Sequence, residues 1–185
     1  MTPAPTPNFQ QLKSEVTAAS RARNWLYAVR EWEVVGLEED TSGSSNCICG
    51  QPNLQKLFTI RNPLTDRELY PIGSTCINHF GRRELDDEVK VLEDLAKLRR
   101  AILDRRRIAV DSEFFTRALL KRLYDDGAFP GDEYNRGHGS VDYEFLLGYF
   151  NARDKPAISS QQHRRATAIL LSKIVPFVKG HPSIS

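Results

Sequence analysis

The sequence has few cysteines, no long apolar run and little net charge, and each shortage excludes a class of protein. Three of its 185 residues are cysteine, an odd number that does not fit a disulfide framework. No stretch approaches the roughly 18 apolar residues of a membrane-spanning helix. Residues 1–7 have neither the basic start nor the apolar run of a signal peptide and are expected to form a flexible leader. We therefore expect a cytoplasmic protein without a membrane partner.

The charge composition excludes two further classes. The formal net charge is +2 and the isoelectric point is near 8.5, which does not fit a uniformly basic nucleic-acid coat or an acidic tail. Hydrophobic residues are 40% and charged residues 27% of the chain, as in ordinary globular proteins.

The G-x-x-x-x-G-K-[ST] phosphate loop and the G-x-S-x-G nucleophile elbow are both missing, so two common enzyme signatures are absent.

All the cysteines fall in two short motifs. Cys47 and Cys49 form a C-x-C-G motif, and Cys76 and His79 form a C-x-x-H motif. Three thiolates and one imidazole make up the Cys3His ligand set of structural zinc sites. We therefore predict that these four residues bind a structural Zn²⁺ ion, because four protein ligands leave no open position for chemistry. Incidental buried cysteines and redox sensing by the C-x-C pair are the alternatives.

The segment between the two motifs predicts a β-hairpin followed by a short helix. Strand formers occupy residues 57–61 and 68–72, and Asn62-Pro63-Leu64-Thr65-Asp66 has the composition of a turn. Pro71 restricts the second strand to a sheet edge. Ser74 is a candidate N-cap that places Cys76 and His79 on one face of the helix, which Gly81 ends.

In ligand order and element order, residues 45–81 resemble a treble-clef zinc finger of the kind found in uncharacterised bacterial and phage proteins. The resemblance implies a knuckle, a hairpin and a helix that together hold one zinc ion. The sequence departs from the pattern at the knuckle, where C-x-C stands in place of the usual C-x-x-C.

The rest of the chain shows helical periodicity, so we predict a mainly α fold: a helical domain with the small β-hairpin finger embedded in it. The segment around residues 141–152 is apolar on nearly all sides and is expected to be buried. The predicted helices cover residues 9–33, 84–107, 112–125, 141–152 and 160–175. The predicted divisions are a leader (1–7), an N-terminal helix (8–36), the finger (45–81) and a helical domain (82–185).

Two basic clusters are candidate nucleic-acid contacts. One closes the predicted helix 84–107, and the other opens the last helix, which has a helix-turn-helix outline with the helix before it. Arginine contacts phosphate or guanine, and glutamine reads adenine. The candidate residues are Arg99, Arg100, Arg105, Arg106, Arg107, Gln161, Gln162, Arg164 and Arg165.

The sequence favours a non-catalytic protein that binds nucleic acid or acts in a regulatory complex, and it leaves other functions open. Both basic clusters also fit an ordinary solvated helix face. The chain could instead be an inhibitor or adaptor, of phage or mobile-element type, that binds a larger host protein. A third hypothesis is a metal-dependent nuclease that uses the loop at residues 132–142, where His138 lies near Asp132, Glu133 and Asp142.

Overall fold

The computed structural model describes residues 6–152 and 157–185. The chain is about half helical, with one three-stranded antiparallel sheet, as the sequence predicts in outline. It divides into two compact units: the first comprises the chain up to Leu92 together with Pro182–Ser185, and the second comprises Glu93–His181. Most of the predicted leader (residues 1–5) and residues 153–156 of the turn before the last helix lie outside the described residues.

The N-terminal part of the first unit is not the single long helix predicted over residues 9–33. Helix α1 (Pro7–Ala19) begins after Thr6 and ends at Ser20, whose hydroxyl donates to the Val16 carbonyl. A second short helix, α2 (Trp25–Ala28), is capped by Asn24 and continues into a 3₁₀ turn, Val29–Glu31. The prediction was wrong because the apolar spacing continues across a break that polar caps impose.

The sheet consists of β1 (Glu33–Glu39), β2 (Lys56–Asn62) and β3 (Arg67–Ile72), in that order. The predicted hairpin is confirmed as β2 and β3, and β3 is an edge strand, as Pro71 requires. Strand β1 was not predicted, because residues 8–36 were read as helical. It pairs with β2 through a register shift between Val34 and Gly36.

The C-terminal residues cover the other edge of β1. The Leu37 amide donates to the Ser183 carbonyl at 2.8 Å, and the Ser185 amide donates back to the Leu37 carbonyl at 3.2 Å. Ile184 forms a parallel bridge with Leu37 and is buried. The first unit is therefore completed by residues from the far end of the sequence.

The hairpin leads into α3 (Ser74–Asn78), whose N-cap is Gly73 instead of the predicted Ser74, and then into α4 (Arg83–Leu103). The boundary between the units falls within α4, eleven residues beyond the predicted junction at 81–82. Helix α4 ends before its predicted limit of 107, because Arg105 adopts a left-handed backbone with φ of 56°. Arg105, Arg106 and Arg107 therefore follow the helix instead of belonging to it.

The second unit contains α5 (Arg117–Asp125), α6 (Gly139–Asn151), α7 (Ser160–Ile169) and α8 (Val175–Lys179). Helix α5 begins later than the predicted residue 112, because Thr116 caps it. The expectation that α6 is buried is wrong, since its buried residues are Asp142 and Leu146. A π-helical turn, Leu170–Ile174, joins α7 to α8 ahead of Pro176, so the chain stays helical where the sequence predicted an end.

Apolar side chains form the core of each unit. In the first unit Leu12, Val16, Trp32, Phe58, Ile60 and Ile77 have no solvent exposure, and in the second the same holds for Leu119, Leu120, Leu123, Leu146 and Ile174. Across the described residues, no helix combines the length and the apolar composition needed to cross a bilayer.

Candidate metal centre

The C-x-C-G motif forms a tight turn that presents its two thiols on the same side. The Gly50 amide donates to the Cys47 carbonyl, and the Cys47 amide donates to the Gln51 carbonyl, both at 2.8 Å. Gly50 has a φ of 87°, a left-handed conformation that strains any residue with a side chain. The glycine is therefore required by the turn and not only tolerated in it.

Two hydrogen bonds attach this turn to distant parts of the first unit. The Ile48 amide donates to the Pro71 carbonyl at 2.9 Å, which joins the turn to the end of β3. The Gln11 side-chain amide donates to the Ile48 carbonyl at 2.8 Å, which joins it to α1. Since α3 follows β3 directly, these contacts bring Cys47 and Cys49 next to Cys76.

The three cysteines form one buried cluster. Their sulfur atoms all lie within 4.8 Å of one another, and the Sγ atoms of Cys47 and Cys76 are 3.6 Å apart. A tetrahedral zinc ion with Zn–S bonds of about 2.3 Å places its sulfur ligands about 3.8 Å apart. The Gly73 amide also donates to the Cys47 sulfur at 3.4 Å, as amides do around metal-bound thiolates. The donor set and spacing therefore fit a thiophilic metal ion.

The electrostatics of the cluster favour at least one thiolate. The hydrogen bond between the sulfurs of Cys47 and Cys76 lowers the pKa of Cys47 to about 5 and raises the pKa of Cys76. A bound cation stabilises a buried thiolate, so the electrostatics of the cluster are compatible with the metal ion that its geometry accommodates.

The fourth predicted ligand is not part of this cluster. His79 lies at the end of α3, on an exposed position, with its ring centroid 5.0 Å from that of Phe9. Among the described residues, the cysteines are the group with ligand atoms close enough together to share an ion. The role of His79 as a zinc ligand stays a prediction.

The basic residues that were predicted to contact nucleic acid at the end of α4 differ from one another in their surroundings. The Nε atom of Arg99 is buried and has no hydrogen-bond partner in the described part of the chain, whereas Arg100 is exposed. Arg106 pairs with Glu113 at 2.5 Å and lies over the Phe114 ring. Arg105 and Arg107 are exposed, and neither has an ion-pair partner within residues 6–152 and 157–185.

The residues predicted on α7 also divide between structural contacts and free surface. Gln162 closes a capping box with Ser159, which confirms the predicted start of the helix. Arg165 pairs with Asp142 at 3.3 Å and lies over the Phe145 ring at 4.2 Å. Gln161 and Arg164 are exposed. Of the α7 arginines, Arg164 is therefore the one left available for an external phosphate.

The loop considered for nuclease chemistry holds an ion-pair network that the sequence analysis missed. The Lys173 ammonium lies 2.6 Å from Asp142 and 2.7 Å from Asp132, and Asn135 donates to Asp142 at 2.9 Å. Burial alone would raise the pKa of Asp142, but hydrogen bonds from Lys173, Asn135 and Arg165 hold it below the ordinary value. The signal in the sequence was an acid within the apolar segment that forms α6.

Comparison with known proteins identifies no relative of this chain. No protein-family model matches the chain, and no curated protein or solved structure gives a significant match either.

Proposed function

We propose that the protein is a zinc-stabilised, non-catalytic nucleic-acid-binding protein with a regulatory role in the cytoplasm. Cys47, Cys49 and Cys76 hold the zinc ion in a treble-clef-like finger, with His79 as the fourth ligand. The zinc ion supplies structural cross-linking, and this chain's own residues orient its thiolates and exclude water from them. Nucleic acid is bound through the exposed arginines of the second unit.

One observation gives the main support for nucleic-acid binding by these arginines. A cavity of about 670 Å³ in the second unit is lined by Arg106 and Arg107, which follow α4, and by His163 on α7. The cavity therefore places two arginines of the first basic cluster beside α7, the helix that carries the second cluster. Arg164 follows His163 directly and is exposed, although it does not line the cavity. This placement offers positive charge to a phosphate backbone.

The test compares binding of the zinc-loaded protein to mixed-sequence oligonucleotides over a range of salt concentrations. Each phosphate contact contributes about 0.9 to the salt slope for a duplex and about 0.7 for a single strand. We expect Arg107→Ala with Arg164→Ala to reduce the slope and the affinity without regard to sequence, while Lys179→Ala at an exposed position does not. Failure of the wild-type protein to retain any nucleic acid at low salt would exclude the proposal.

A second candidate function, a protein-interaction factor of phage or mobile-element type, is favoured by a different cavity of the second unit. This cavity of about 860 Å³ is lined partly by Tyr134 and Leu171, which are 84% and 59% exposed. Large apolar side chains at an open cavity are typical of protein-binding surfaces. Capture of a host protein that persists after nuclease treatment and weakens in Tyr134→Ala would favour this function over nucleic-acid binding.

A further inference from the structure

A groove in the first unit is formed partly by the chain that follows the candidate metal centre in sequence. It has a volume of about 820 Å³. One wall comes from α2 and the 3₁₀ turn, through Trp25, Leu26 and Arg30. The other wall comes from the chain that leaves α3, through His79 and Arg83. Cys76 lies on α3 and His79 directly follows that helix, so the metal centre and the groove adjoin along the chain.

The groove is held open by contacts that fix both walls. The Trp25 ring stands edge-on to Phe9 and Phe80, with centroid separations of 5.6 Å and 5.5 Å. The Arg82 guanidinium donates to the carbonyls of Val29, Arg30 and Trp32 at 3.2, 3.3 and 2.8 Å. These contacts tie the wall formed by the 3₁₀ turn to the wall that begins α4. The groove is thus a built feature and not a gap between loose side chains.

The surface of the groove combines positive charge with exposed flat or apolar side chains. Leu26, which lines the groove, is 68% exposed. Tyr27 is 63% exposed beside the groove: its ring centroid lies 5.8 Å from the guanidinium of Arg30, and Arg30 is a lining residue. The Arg83 side chain is 92% exposed, and its Nε atom lies 3.7 Å from the carboxylate of Asp87. Within the described chain, the charged lining residues are Arg30, Arg82, Arg83 and Glu84, so positive charge exceeds negative charge.

We propose that this groove is a second nucleic-acid site, for single strands, in the first unit; the inference rests on the proposed function and adds a strand class and a further location to it. Arg30 and Arg83 contact phosphates, while Tyr27 and the exposed part of Trp25 stack on unpaired bases. This combination of a cationic groove with aromatic platforms is how single strands are bound without sequence preference. A duplex hides its base faces, so it gains the phosphate contacts and loses the stacking.

The experiment measures binding of fluorescent single strands of oligo(dT) and oligo(U), and of a duplex of equal length, to the zinc-loaded full chain by anisotropy. Tyr27→Ala is expected to weaken single-strand binding about tenfold. Arg30→Ala with Arg83→Ala is expected to lower the salt slope by about 1.4, since each phosphate on a single strand contributes about 0.7. These residues are exposed, so the variants should keep the fold. Arg67→Ala, an exposed arginine on β3, is the matched control and should bind as the wild type does.

Tryptophan fluorescence gives an independent readout. Trp25 lines the groove, whereas Trp32, the other tryptophan, has no solvent exposure. A single strand in the groove should therefore quench the Trp25 emission, and metal chelation should abolish both the quenching and the binding.

The outcomes separate this inference from the proposed function. Loss of binding in Arg107→Ala with Arg164→Ala, but not in the groove variants, would overturn the groove and leave nucleic-acid binding intact. Equal affinity for duplex and single strand, with Tyr27→Ala unaffected, would also overturn it. If the wild-type protein binds no nucleic acid, both fall, and binding of an acidic peptide at the groove would then assign it to a protein partner.

Discussion

Each of the two units is organised around one polar centre, but the two centres balance their charge differently. In the first unit the sulfur atoms of Cys47, Cys49 and Cys76 lie within 4.8 Å of one another, and all three thiols can become anionic. In the second unit the carboxylates of Asp132 and Asp142 surround the Lys173 ammonium. Both centres pin a loop to a helix, and both are largely withdrawn from solvent.

The difference predicts opposite dependences on external ions. A cluster of thiols acquires negative charge as it loses protons, so it needs a cation from solution before it can stabilise the fold. An ion-pair network contains its own counter-charges and needs nothing from solution. Metal removal should therefore loosen the first unit and leave the second unaffected, and substitution of a buried charge should do the reverse.

The largest expected effect is that of Cys76→Ser on the first unit. Structural zinc contributes on the order of 10 kcal/mol of apparent binding free energy to a small finger. We expect the variant to lose stoichiometric zinc by elemental analysis. In hydrogen exchange, residues 56–72 should lose protection while residues 139–151 keep it. Thr75→Ser, at the exposed neighbouring position on α3, is the control and should retain both zinc and protection. Zinc-free wild-type protein with full protection of β2 and β3 would contradict the structural role of the metal.

A smaller effect is expected from Lys173→Met in the second unit. The side chains of Lys173 and Asp142 are 9% and 4% exposed, so the substitution leaves a buried carboxylate with Asn135 and the more distant Arg165 as its partners. Breaking a buried pair in this way costs about 3–5 kcal/mol. Urea unfolding should show the loss, with no change in zinc content. Lys179→Met, which removes an exposed lysine from α8, should unfold near the wild-type midpoint, and an equal loss there would refute the role of the pair.

The smallest effect is the pH dependence that Asp132 and Asp142 give to the second unit. Hydrogen bonds from Lys173 keep the pKa of Asp132 below its ordinary value, and the pKa of Asp142 is lowered as well. Carboxyl groups with a lowered pKa in the fold stabilise it above the unfolded value of about 3.9. This stability is lost as the pH falls through their lowered values. Urea midpoints from pH 6 to pH 2 should fall more steeply for the wild type than for Asp142→Asn. Parallel curves would contradict the assignment.

The parts of the fold that depend on neighbouring residues were predictable, and those that depend on distant partners were not. The β2–β3 hairpin followed from strand formers around a turn, and the start of α7 followed from the spacing of Ser159 and Gln162. The cysteine cluster followed from two motifs that each supply only part of a metal ligand set. Each of these signals lies within a few residues and predicts the same local structure whatever the rest of the chain does.

Strand β1 shows the opposite case. Its residues continue the apolar spacing of α1, and the sequence alone gave no partner for them. The choice between helix and strand is made by pairing with β2 and with Ser183 and Ser185, which lie far along the chain. In the same way, Asp142 was considered with the loop at residues 132–142, because its partner Lys173 belongs to a later helical segment that the sequence did not connect to it.

The return of residues 183–185 to the edge of β1 affects how the protein is made. During synthesis the sheet can form from β1, β2 and β3 early, but the outer edge of β1 stays unpaired until residues 183–185 have been synthesised. An unpaired strand edge invites pairing with other chains. The nascent protein thus carries an aggregation-prone edge throughout translation of the second unit, and truncation before Ser183 should leave that edge permanently open.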